Sequence, residues 1–345
     1  MGVRAGGVRG QEDGMKVRRA SVIGDGAMGT VCARILAERG TDVRLWSNFP
    51  EQAADLQRHR ENKRFLPGHP LPANISITAE PSEAFKGAQL IVSAIPCQYI
   101  RPVWRRLVEH YPGNVPVVAV SKGIEVDTLL ASTQILADLL GSIPAAALSG
   151  PSIAPEVADK QPCTVVAASG DLALAELVQE SFSTDYFRVY RNNDLVGVEI
   201  AGATKNVVAL AAGIIDGIGA GCNAKAALLT RGIVEISRLG AALGAKAETF
   251  KGLAGIGDLV TTCISPVGRN RTAGESIGRG LTPKQVIAAT DSVIEGIPTT
   301  GAVLQLSARH GVEMPITEAV AAVLSGAEPP NEAIHHLMTR QLKHE

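Results

Sequence analysis

The chain has 345 residues, 46% of them hydrophobic and 19% charged, which allows a sizeable core and points to two domains. A formal net charge of −1 argues against a polyanion-binding surface, and aromatics at 3% leave few platforms for stacking single-stranded nucleic acid, so no nucleic-acid partner is expected. The five cysteines, at 32, 97, 163, 222 and 263, are widely spaced without a C-x-x-C, which excludes a disulfide framework and a zinc knuckle and fits a reducing cytoplasm with no metal site.

Residues 1–15, MGVRAGGVRGQEDGM, are rich in glycine and charge and hold no apolar run of signal-peptide length. They read as a disordered overhang, with Met15 a second candidate start. No uninterrupted apolar run of about 18 residues occurs, so no membrane span is expected. An apolar strand, Ala20–Ile23, then runs directly into GDGAMG, with Gly24, Gly26 and Gly29 in G-x-G-x-x-G spacing. A helical pattern, TVCARILAERG, follows, and a second strand covers Val43–Trp46. Glycines in that context suit a dinucleotide: the first permits the tight turn, the second admits pyrophosphate to the helix N-terminus, and the third lets helix and strand pack closely. The expected nucleotide contacts are Gly24, Gly26, Ala27, Met28 and Gly29, with Asn48 just past the second strand. An NAD-specific site would usually carry an acid there. This chain has Ser47 and Asn48, and Arg44 alternates to the other face, so both NAD and NADP remain open as cofactor.

Buried-looking strands follow at Leu90–Ile95, Val115–Val120, Ala145–Leu148 and Thr164–Ala168. Helical patterns fall at Glu51–Arg60, Arg101–Glu109, Leu129–Leu140 and Leu172–Gln179. The alternation is that of a doubly wound, Rossmann-like sheet, whose ligands gather at the carboxyl ends of the strands. Three such ends carry polar punctuation: SAIP at 93–96, VSKG at 120–123 and LSGPS at 148–152. Lys122 there either meets an anion or is a surface loop lysine.

After Tyr190 the strand-like runs stop, and from Leu195 the pattern is helical. The expected division is a dinucleotide-binding domain over 16–194 and an all-helical substrate domain over 195–345. Val198–Ile218 is too continuously apolar for a surface helix and reads as a central one, with glycines at 202, 213 and 217 allowing close contacts. It carries one charge between Glu199 and Asp216, that of Lys205. A lysine there either snorkels to water or, if enclosed, loses basicity and becomes a proton acceptor. GLAGIGDLVTTC, residues 252–263, holds one carboxylate, Asp258, which fits either a helix N-cap or a partner that orients Lys205. In GRNR, residues 268–271, Arg269 offers a planar fork suited to phosphate and Asn270 adds neutral donors. Glu295, in SVIEGIPTT, reads as a loop acid before a helix.

Taken in order, GDGAMGT, SKGIE, LSGPSIAPE, GATKN, GDLVTTC, GRNR and VIEG resemble the NAD(P)-dependent glycerol-3-phosphate dehydrogenases, over roughly residues 17–330. NKRFLPGHPLP, residues 62–72, also looks like a loop of that family. The resemblance implies a general acid/base at Lys205 and a supporting carboxylate at Asp258. It implies substrate contacts from Lys122, Gly150, Ser152, Asn206, Thr262, Gly268, Arg269 and Asn270. It implies cofactor contacts from Lys122, Ala154, Arg269, Val293 and Glu295. The reaction implied interconverts sn-glycerol 3-phosphate and dihydroxyacetone phosphate, a small phosphorylated substrate, and supplies glycerophospholipid synthesis. A homodimer is the expected assembly.

Two departures stand out. Many members carry an aromatic residue at Met28, and many bacterial members read S-R-N where this chain has Gly268, which offers only a backbone donor. Two other readings share the layout: a dehydrogenase of a 2-hydroxy or opine substrate, which needs a carboxylate pocket, and a nicotinamide-nucleotide sensor without catalysis.

Overall fold

The computed structural model describes residues 17–342. The overhang expected at 1–15 lies outside the described residues. In chain order the first half runs β1 (Arg19–Ile23), α1 (Ala27–Glu38), β2 (Asp42–Trp46), α2 (Pro50–His59), a small hairpin of β3 (Glu61–Asn62) and β4 (Leu66–Pro70), β5 (Ile75–Thr78), β6 (Leu90–Ser93), α3 (Cys97–Arg105), β7 (Val117–Ala119), α4 (Ser132–Leu140), β8 (Ala145–Ser149), α5 (Ala154–Ala158), β9 (Cys163–Ala168), α6 (Leu172–Phe182) and β10 (Phe187–Asn192). Eight of these strands form one sheet in the order β10-β9-β8-β7-β6-β1-β2-β5. All neighbours are parallel except β8 and β9. The central strands are buried along nearly their whole length, as strands covered by helices on both faces must be.

The departures from the sequence reading have physical causes. The expected inner strands are present, but the two sheet edges, β5 and β10, were not foreseen. Both alternate buried and open positions, so they lack the continuous apolar run that marks the inner strands. Helix α3 starts four residues before the expected Arg101, directly after Pro96, and Pro102 stands inside it. Helix α4 starts at Ser132 rather than Leu129, because Leu129 takes a left-handed φ of 61°.

The second half is helical: α7 (Leu195–Ile218), α8 (Gly221–Ala242), α9 (Ala247–Lys251), a π-helical turn (Leu253–Gly257), α10 (Asp258–Ile264), α11 (Arg269–Gly278), α12 (Pro283–Ala288), α13 (Gly296–His310), α14 (Pro315–Ser325) and α15 (Pro330–Met338). Helix α7 is long and apolar enough to cross a membrane, but 94% of its most apolar window is buried inside the protein. It lies among α8, α10, α11 and α13 and also touches β8, which explains why it is apolar all round.

Helices α7 and α11 cross with their backbones nearly in contact. A Cβ on Gly213 would lie 1.9 Å from the carbonyl oxygen of Arg271, and one on Gly274 would lie 2.1 Å from that of Leu210. Neither obstacle is a flexible side chain. Gly213→Ala is therefore expected to destabilise the fold by about 1–3 kcal/mol through overpacking, read as a lower denaturant midpoint; an unchanged midpoint would show that the crossing yields freely.

Candidate active site

Helix α7 carries Lys205 into the interior, where it is 5% exposed. Its ammonium lies 2.9 Å from Asp258 Oδ1 and donates to Thr262 Oγ1. Asp258 opens α10 but does not cap it; Gly257 occupies the cap, and the carboxylate turns into the site. Thr262, one turn on, shares its face and hydrogen-bonds Asp258 Oδ1 at 3.3 Å. The other carboxylate oxygen accepts from Lys122 Nζ at 2.7 Å, and that ammonium also donates to the carbonyl of Gly150 at 2.9 Å. One buried carboxylate thus holds two lysines, drawn from the end of β7 and from α7.

The electrostatics follow from this enclosure. Burial lowers the basicity of Lys205 and the Lys122 charge lowers it further, while Asp258 opposes both; the net shift is downward from an ordinary lysine. Burial alone would raise the pKa of Asp258, but the two lysines overcome it and hold the carboxyl below its usual value. The group beside Asp258 is therefore an amine made easier to deprotonate, held next to a secure negative charge.

A line of amides ties this centre to α11. Asn206 Nδ2 donates to the Lys122 carbonyl at 2.8 Å, Asn270 Nδ2 donates to Asn206 Oδ1 at 2.9 Å, and the Gly296 N–H donates to Asn270 Oδ1 at 2.9 Å. Arg269 begins α11 with its fork exposed and donates to the carbonyl of Val293 at 3.1 Å. No side chain caps this helix end, so the first-turn amides and the guanidinium offer donors to an anion together. The Gly268 N–H is taken by the Ser265 carbonyl at 3.2 Å, which leaves Arg269 and those amides as the donors at this helix end. Glu295 is buried and accepts from the Cys97 N–H at 2.8 Å, linking the start of α13 to the start of α3; burial raises its pKa. Ser152 donates to the Gly150 carbonyl at 3.0 Å, and Ala154 opens α5.

The glycine loop has room for a pyrophosphate. Gly24 has φ of +108° and donates to the Trp46 carbonyl at 2.9 Å. A Cβ on Gly29 would strike the Gly24 carbonyl at 2.0 Å, whereas beyond Gly26 nothing lies within 4 Å. That open cradle faces the uncapped N-terminus of α1, whose first residues are Ala27 and Met28. These features fit a dinucleotide. Met28 lines a small cleft with Lys122, Ser152 and Phe187, so the glycine loop and Lys122, the outer of the two lysines on Asp258, share one opening. Asn48 accepts from Arg106 at 2.6 Å.

Gly202, read from sequence as a helix-contact glycine, also builds the site. A Cβ there would lie 3.1 Å from Ser149 Oγ and 3.4 Å from Lys122 Cγ. Cys97 and Arg106 were not foreseen: one acts through its backbone, and the other sits in a charged helix face with nothing in its spacing to mark it.

A dinucleotide cradle beside a buried lysine–carboxylate pair, with an exposed arginine and an uncapped end on a neighbouring helix, fits a two-domain nicotinamide-dependent dehydrogenase. The comparisons narrow the class. The description NAD-dependent glycerol-3-phosphate dehydrogenase N-terminus matches residues 19–175, and the C-terminus description matches residues 194–335. Glycerol-3-phosphate dehydrogenase [NAD(P)+] of Chlorobium phaeobacteroides is 48% identical, covering 95% of this chain and 99% of its own length. That of Pelodictyon phaeoclathratiforme is 49% identical, covering 94% and 98%. The crystal structure of glycerol-3-phosphate dehydrogenase from Coxiella burnetii superposes with a TM-score of 0.90 at 35% identity, covering 94% of this chain and 99% of that one. The chain belongs to the NAD-dependent glycerol-3-phosphate dehydrogenase family.

Proposed function

We propose that the protein interconverts sn-glycerol 3-phosphate and dihydroxyacetone phosphate with NAD or NADP, and so supplies glycerol 3-phosphate for glycerophospholipid synthesis. The observation that carries this reading is the Lys205–Asp258–Lys122 set, enclosed beside the glycine loop and tied through Asn206 and Asn270 to Arg269. The bound nicotinamide supplies hydride to C2 in one direction and accepts it in the other. Lys205 gives a proton to the C2 oxygen as the alcohol forms and takes one back as the ketone forms. Its charged form also steadies negative charge developing on that oxygen. Asp258 holds the amine in place, with Thr262 fixing the carboxylate. Lys122 adds positive field and keeps Lys205 from being too basic. Arg269 and the first turn of α11 hold the phosphate, so binding at a distance places C2 against Lys205. Asn270 spends both ends of its amide on Asn206 and Gly296 and acts chiefly by fixing α11.

Free cysteines, four of the five buried, support a reducing cytoplasm as the compartment. A homodimer is the assembly we expect, on the general preference of such enzymes for two-fold pairs.

The experiment is oxidation of the reduced nicotinamide, followed by absorbance, with dihydroxyacetone phosphate and with dihydroxyacetone. Activity confined to the phosphorylated ketone supports the reading; equal rates, or turnover only on a 2-keto acid, end it. Arg269→Ala is expected to lower kcat/KM for the phosphorylated substrate about 10–100-fold, the worth of a lost charge-assisted contact. Steady-state kinetics checks this, and an unchanged value would remove Arg269 from the phosphate.

A further inference from the structure

The end of β2 carries no acid of its own. Ser47 and Asn48 stand there, about twenty residues past the glycine turn, where dinucleotide folds sort a ribose hydroxyl from a 2′-phosphate. A carboxylate does meet this strand end, but it comes from the glycine loop. Asp25 is 7% exposed and its Oδ2 accepts from Ser47 Oγ at 2.9 Å. Its carboxylate is thus engaged from inside the fold rather than presented at the surface.

On the outer side a guanidinium arrives from α3. Arg106 is the residue that closes this helix, and its Nη1 donates to Asn48 Oδ1 at 2.6 Å. Its placement is built. Trp46, the last residue of β2, and Trp104, two residues before Arg106, lie in one buried cluster. Trp104 also donates to Ser93 Oγ at 3.0 Å and stacks on Phe85. Two arginines near it are held by acids, while Arg105 beside it has no carboxylate partner among the described residues and, unlike Arg106, makes no hydrogen bond to Asn48. Arg101, on the same helix, is bonded to Glu125 and Asp138, and Arg44 of β2 turns to Glu83. Arg106 is exposed and, among the described residues, has no carboxylate partner. It rests on a neutral amide oxygen and keeps further N–H donors in its fork. An exposed guanidinium without a carboxylate, aimed at the end of β2, is suited to a phosphate dianion.

We propose that Arg106 and Asn48 form the anchor for the 2′-phosphate of NADP(H), and that Arg106 sets a preference for the phosphorylated cofactor over NAD(H). The proposal rests on the dinucleotide-site reading above. On binding, Arg106 exchanges the amide oxygen of Asn48 for phosphate oxygens, and Asn48 Nδ2 adds a neutral donor.

The test measures affinity directly, by calorimetry of the whole protein with 2′,5′-ADP and with 5′-AMP. The wild type is expected to bind 2′,5′-ADP more tightly, and Arg106→Gln to cut that preference about 10–100-fold. Arg106→Glu, which sets a negative charge against the phosphate, should cut it further. The ratio of kcat/KM for NADPH over NADH should fall in parallel. Because the side chain is exposed, either variant alone suffices if the other folds poorly. A wild type that binds 5′-AMP at least as tightly, or variants that keep the preference intact, would overturn the proposal. Failure of both nucleotides to bind would instead strike the dinucleotide site itself, and the anchor would fall with it.

Discussion

Lys205→Ala is expected to cost about 10²–10⁴-fold in kcat, the range for loss of a positioned acid or base, while dinucleotide binding survives. The glycine cradle is built from β1 and α1, whereas Lys205 rides on α7, so fluorescence titration with the reduced nicotinamide should give nearly the wild-type affinity. The expected loss comes from two sources. The C2 oxygen loses its proton donor, and the charge that steadies it disappears from an enclosed place where few other donors reach. Lys205→Arg should rescue little, because a guanidinium stays protonated and its planar fork does not fit a site shaped for a single ammonium. An Ala variant with near-normal kcat would remove Lys205 from the proton transfer.

Asp258→Asn is expected to do two things that a loss of packing would not. First, it should move the alkaline limb of ketone reduction to lower pH. Reduction needs Lys205 protonated, and Asp258 is the group that holds its pKa up against burial and against Lys122. Without that charge the pKa falls further, so the acid form is lost at lower pH. Second, stability should become strongly pH-dependent. A lysine whose folded pKa lies below its unfolded value binds fewer protons folded than unfolded, so stability rises with pH between those two values. The variant should therefore be least stable at low pH, where both lysines must be charged without a partner, with a cost of up to about 3–5 kcal/mol as for other broken buried pairs. The deficit should shrink as the solution becomes alkaline. Denaturant midpoints at pH 6 and pH 9, beside the pH–rate profile, check both parts. A deficit of the same size at both values, with the limb unmoved, would mean that Asp258 does not set the charge of Lys205.

Much of this was legible in the chain. GDGAMG between an apolar strand and a helix marked the cradle, because only glycines leave the space that Gly26 and Gly29 leave. Lys205 stood out because a helix apolar on every side has no water to offer a charge. Asp258 was harder: a carboxylate at the start of a helix is usually a cap, and only the enclosed fold shows that two ammoniums claim it instead. The edge strands β5 and β10 escaped notice because they alternate where the inner strands run apolar throughout. Arg106 could not be singled out at all. Its significance lies in a contact with Asn48 across 58 residues, and in the absence of the acids that occupy Arg101 and Arg44, and neither is written in local spacing.

The glycine seam between α7 and α11 has a consequence for what the enzyme accepts. Lys205 and Asn206 ride on one helix, Arg269 and Asn270 on the other, and the backbones are locked face to face with the two asparagines bonded across the join. In the proposed reaction the proton donor and the anion grip therefore belong to a single stiff frame, and the span between them acts as a ruler. A ketone one carbon longer between its phosphate and its carbonyl is expected to be a poor match for that gauge, so that selection by length would be set in the scaffold itself.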